Sequence, residues 1–135
     1  MNKNDVGTVI LRVIVGITFF IHGLSKFQGG LGNTVGFFES LGVPGFLAYV
    51  VAVIELFGGI MLIVGIGTRI VSILFAIIML GAIFTVKLPA GFLGNGQMAG
   101  YELELALLAM SIFLGIADSS RFSLGNKFFH SEGKK

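Results

Sequence analysis

His22 and Lys26 stand four residues apart in an otherwise apolar stretch, so on a helix an imidazole and an ammonium lie one turn from each other. Arg12 falls with them inside an arc of about 80° at roughly 100° per residue. Ionisable groups in such surroundings are costly, and they mark either a site or a structural pair turned away from lipid. Further along, Glu55 shares a helical face with Ala52, Gly59 and Leu62, and small neighbours there let another helix approach. Tyr101, Glu102 and Glu104 open a last apolar run. The two carboxylates lie about 200° apart on a helix, so at most one faces inward well.

A His, a Lys and a carboxylate at one depth can bind a polar head group and shuttle protons. His22 and Glu102 can act as the catalytic proton donors. Lys26 can polarise a developing oxyanion, Tyr101 can donate a hydrogen bond, and Phe37 and Phe38 can stack on a ring. Arg12 and Glu55, close in depth, read as a buried structural ion pair. Each of these has a plainer alternative. Lys26 can snorkel to headgroups, His22 can be a satisfied interior imidazole, and the phenylalanines can face lipid.

The elements that must position these groups follow from composition. Of 135 residues, 55% are hydrophobic and 12% charged, which leaves too little polar surface for a small soluble domain. Four apolar stretches, at about 6–27, 46–66, 69–87 and 101–117, are read as long enough to cross a hydrocarbon core, which takes about 20 helical residues. In lipid they must be helices. The expectation is all-α: an integral membrane four-helix bundle, one domain over 1–135, with a polar tail over 118–135. The first span reads as retained rather than cleaved, because it carries Arg12 and lacks a small-residue cleavage site.

The 28–45 connection reads as a short amphipathic helix in the first outer loop, capped by Asn33 or Thr34 and stopped by Gly42 and Pro44, with Val35, Phe37, Phe38 and Leu41 on its apolar side. The 88–100 connection is Gly-rich and reads as a mobile lid. Lys3, Arg12, Arg69, Arg121, Lys127, Lys134 and Lys135 fall on one side of the membrane, against Lys26 and Lys87 on the other. That bias predicts a multi-pass protein of the cell membrane with both termini cytoplasmic. Gly58, Gly59 and Gly65 suit helix contacts within one chain or in a homo-oligomer.

Three motifs in order carry a family resemblance. Leu11-Arg12, Gly16, Phe19, His22-Gly23 and Lys26 resemble the opening helix of the DoxX family of small four-helix membrane proteins. Glu55, Gly59, Leu62, Gly65 and Arg69 resemble its second motif, and Gly100-Tyr101-Glu102 its third. The resemblance covers about residues 8–118 and is strongest to Bacillus-type members tied to catechol and quinone stress. It implies a quinone- or catechol-linked oxidoreductase, or a subunit of one, in oxidant or electrophile resistance.

The sequence has no cysteine and no haem, flavin or metal motif, which leaves the cofactor open, with a quinone as the candidate that the resemblance suggests. Electrons then come from a soluble or membrane redox partner or from a hydroquinone or catechol ligand. A net charge of +2 offers no patch for nucleic acid. The same polar groups also suit a small-solute or proton-coupled transporter, an export component, or a membrane adaptor without redox activity.

Overall fold

Isoleucines at positions 10, 14, 17 and 21 recur every three or four residues, and all four are exposed along one stripe of α1 (Lys3–Gln28). The opposite face of α1 buries Val15, Gly16 and Phe19. An apolar stripe turned outward is what a lipid-facing helix requires. The computed structural model describes residues 3–97 and 99–117; the tail expected over 118–135 lies outside them.

After α1 come α2 (Leu31–Ser40), α3 (Phe46–Val64), α4 (Thr68–Ala82) and α5 (Glu102–Ile116). A π-helical turn (Ile83–Lys87) and a 3-10 turn (Leu88–Ala90) extend α4. Among the described residues there is no strand, only an isolated antiparallel bridge between Gly94 and Ala99. Among the described residues, three helical stretches are long and apolar enough to cross a membrane: Lys3–Gln28, Phe46–Val64 and Thr68–Ala90. The fourth expected span corresponds to α5, whose 15 helical residues extend about 22 Å at 1.5 Å per residue.

α1 packs chiefly on α3 and α4 chiefly on α5, with α3 touching α4 and α1 touching α5. The α3–α4 connection is short. Gly65 adopts a left-handed φ of 82°, and its N–H, with that of Ile66, donates to the Met61 carbonyl at 2.7 and 2.8 Å. That closes the helix end and reverses the chain within three residues. We call this the turn end of the molecule, and the opposite end, with the two longer connections, the loop end.

At α1–α3 the backbones nearly touch. A Cβ on Gly59 would lie 2.6 Å from both the Gly16 carbonyl oxygen and the Phe20 nitrogen, and one on Gly23 would lie 2.5 Å from the Leu56 nitrogen. These contacts fix the register: Gly16 is level with Gly59, and Gly23 with Glu55–Leu56. Between the helices Phe19 and Phe75, 1% and 0% exposed, stack with ring centroids 3.8 Å apart and planes at 20°.

The loop end departs from the sequence reading in two ways. α2 starts at Leu31, behind Gly30 with φ 89°, rather than at an Asn33 or Thr34 cap; Asn33 Nδ2 instead donates back to the Gly29 carbonyl at 2.9 Å. Its apolar residues also divide. Val35 and Phe38 are half-buried, Val35 beside Gly45 at the entry to α3, while Phe37 and Leu41 are exposed. The Gly-rich connection, read as a mobile lid, is folded back on itself. Tyr101 N–H donates to the Gly91 carbonyl and Glu102 N–H to the Phe92 carbonyl, both at 3.2 Å. Backbone groups close to hydrocarbon need such partners, whatever the glycine content.

Candidate functional site

Glu55 is the most deeply placed carboxylate with a defined partner. It lies nine residues into α3, and its side chain is 4% exposed. Lys26, on the last turn of α1, sends its ammonium to Glu55 Oε1 at 2.5 Å while its own side chain stays 24% exposed. A flexible four-carbon stem makes that reach possible. The close passage of Gly23 beside Glu55 and Leu56 sets the two helices at the right height.

The sequence reading pairs Glu55 with Arg12, and the structure gives it Lys26 as a partner. Arg12 is buried. It sits near the turn end, next to Leu11, which with Thr8, Phe113 and Ala117 lines a groove of about 700 Å³ between α1 and α5.

The proton-donor pair is not brought together in the interior. His22 is exposed, and its Nδ1–H donates to the Thr18 carbonyl at 2.7 Å on its own helix. A neutral ring so oriented presents the Nε2 lone pair outward. Glu102 is exposed on the first turn of α5. Glu104, two residues on, is the inward carboxylate of that turn. Its Oε2 lies 3.8 Å from Lys87 Nζ, with side-chain exposures of 15% and 22%. Its Oε1 is buried and makes no hydrogen bond among the described residues.

Lys87 also donates to the Ala99 carbonyl at 3.4 Å. It closes the π-helical turn, whose wider winding re-aims side chains relative to an α-helix and recurs at functional sites. Tyr101 is half-buried and meets Phe92 with centroids 5.6 Å apart at 47°. Phe38 is half-buried and Phe37 exposed on α2.

The loop end thus carries two lysine–glutamate pairs, one on α1–α3 and one on α4–α5. Sequence reasoning missed the second. Its signal was Lys87 and Glu104 flanking one connection, but periodicity does not reveal a π-turn. The pairs differ in strength. Replacing Lys87 by Met should cost only about 1 kcal/mol, because the contact is long and partly solvated; thermal unfolding in detergent at low and high salt measures it.

No cluster of three or more His, Asp or Glu among the described residues is placed to hold a metal ion. The arrangement sets a lysine ammonium beside each of two carboxylates, Glu55 and Glu104.

An all-helical chain with three lipid-facing spans and charge pairs held between its helices defines a small multi-pass membrane protein set in a bilayer. The chain belongs to the DoxX family, whose family model matches residues 7–88. It is 51% identical over 136 residues to the Bacillus subtilis protein named "Putative oxidoreductase CatD", covering 100% of this chain and 96% of that protein. An uncharacterized membrane protein of Mycobacterium tuberculosis is 32% identical over 88% of this chain and 79% of its own length. Inner membrane protein YqjF of Escherichia coli is 37% identical over 48% of this chain and 49% of its own length. No solved structure matches.

Proposed function

We propose that this protein is a membrane oxidoreductase component working on a quinone or catechol at the loop end, in oxidant or electrophile resistance. The observation that carries the reading is the Lys26–Glu55 pair, a buried carboxylate bound to a single partly exposed ammonium. Full-length similarity to a protein named as an oxidoreductase supports it.

Oxidising a hydroquinone releases two protons and two electrons. Glu55 and Glu104 take the protons as general bases, and the ammonium groups of Lys26 and Lys87 favour the phenolate that forms first. The electrons pass to a redox centre of a partner protein. Tyr101, Phe92 and Phe38 supply the apolar edge for the ring. His22 and Glu102, both exposed, serve at the rim as the exchange point with water rather than as interior donors.

In this reading α5 is the fourth span of a four-helix bundle. It is short because its first turn begins at the level of the paired connection. With the excess of lysine and arginine at the turn end and the termini in support, this reading has that side facing the cytoplasm of a cell-membrane protein.

The test is complementation of a strain lacking the protein under catechol or quinone challenge, together with hydroquinone oxidation by its membranes. Glu55→Gln should lower the oxidation rate about 10²-fold and abolish protection while the protein still inserts. Full protection and full rate in Glu55→Gln would overturn the reading. Protection lost with hydroquinone oxidation unchanged would point to export instead.

A further inference from the structure

Glu55, the stacked rings with Ser111 at their level, and Ser72 follow one another along the axis of the packed helices. The Phe75 ring reaches Gly58, whose Cβ position lies 2.9 Å from Phe75 Cζ. Gly58 is about one turn from Glu55 along α3 toward the turn end. Ser72 is three residues from Phe75 along α4 in the same direction. The Cβ position of Gly115 lies 3.9 Å from Ser72 Cβ, and Ser111 stands one turn from Gly115 on α5 toward the loop end, about level with Phe75. The Phe19–Phe75 stack therefore lies between Glu55 and Ser72 along the axis, with Ser111 at its own level.

The serines behave unlike the other hydroxyls. Thr8, Thr18 and Thr85 each fold back onto the carbonyl four residues earlier, at 2.8, 2.8 and 2.6 Å. Ser72 and Ser111 are 0% exposed, and neither hydroxyl makes a hydrogen bond among the described residues. A buried hydroxyl left unsatisfied costs about 1–3 kcal/mol, although the local bond that the threonines use is within reach. Hydroxyls without a fixed partner suit an intermittent one, and a water that enters when the packing opens would supply it.

We propose that these groups form a gated path for protons across the membrane, with the Phe19–Phe75 stack as its gate. When the rings part, water joins Glu55 to Ser72 and Ser111. A proton taken up by the Glu55 carboxylate, which releases the Lys26 ammonium, passes to that water. Each hydroxyl then accepts one proton and gives up another toward the turn end. One proton crosses, Glu55 returns to the carboxylate, and nothing is oxidised or reduced. The path requires no quinone, so it stands or falls apart from the redox reading.

The experiment uses the full chain in liposomes with a pH-sensitive dye inside and a potassium diffusion potential as driving force. Wild-type flux should stay near that of empty vesicles. Phe75→Ala should raise it about tenfold or more, a barrier lowered by about 1.4 kcal/mol. Adding Glu55→Gln to Phe75→Ala should return the flux to the wild-type level, and adding Ser72→Ala with Ser111→Ala should reduce it severalfold. A leak that survives Glu55→Gln is a hole in the packing and overturns the proposal, as does the absence of any rise. Phe75→Leu, which keeps most of the volume, is read in the same way should Phe75→Ala fail to insert.

Discussion

A Lys26→Met variant should lose about 3–5 kcal/mol of stability, the usual result of leaving one charge of a buried pair without its counter-ion. Glu55 has only 4% of its side chain exposed and cannot turn to water. Glu55→Gln should cost distinctly less, because the amide still accepts from the ammonium and Lys26, at 24% exposure, can swing to the surface. The double variant Lys26→Met with Glu55→Gln should recover most of the loss. Denaturant unfolding of all four proteins in one detergent gives the coupling directly. Equal losses in the two single variants, adding up in the double, would mean that the pair contributes nothing specific.

The second large effect lies at the glycine contact of α1 and α3. In Gly59→Ala the new methyl would meet Gly16 O and Phe20 N at 2.6 Å and Phe20 Cα at 2.8 Å. All three are backbone atoms, so no rotamer change relieves the overlap and the helices must separate. Overpacking of this kind costs about 1–3 kcal/mol, occasionally more. Here it should exceed the usual figure, because separating α1 from α3 also pulls Phe19 off Phe75 and Lys26 off Glu55. Gly81→Ala is the internal control. Gly81 is exposed on α4 with nothing within 4 Å of its Cβ position, so alanine should be neutral or stabilising by about 0.5–1 kcal/mol. Similar melting shifts for Gly59→Ala and Gly81→Ala would remove the close-approach argument.

Much of this was legible in the residues. Apolar length marked the three spans because lipid demands internally bonded backbone. The i, i+4 relation of His22 and Lys26 told that both sit near one end of α1. It could not tell that one residue reaches inward and the other bonds to its own helix, because that depends on how α3 is staggered against α1. The stagger is set by contacts at Gly16, Gly23 and Gly59, between residues far apart in sequence. Lys26 as the partner of Glu55 was hidden for the same reason: depth counted from span ends misplaces a helix such as α1, which already begins at Lys3. Glu104 rather than Glu102 turned inward because α5 is entered through a hydrogen-bonded connection that fixes its rotation. The gathering of Phe19, Phe75, Ser72 and Ser111 draws on three helices and left no local pattern.

The three-residue reversal between α3 and α4 has a consequence for biosynthesis. Two apolar segments joined so tightly have no room to enter the bilayer one after the other, so they partition from the translocon as a preformed hairpin. By then the ribosome has long finished α1, since chains emerge N-terminus first. An α1 inserted first would present Lys26 to Glu55 as the hairpin enters, so that the acidic residue need not cross hydrocarbon as a bare anion.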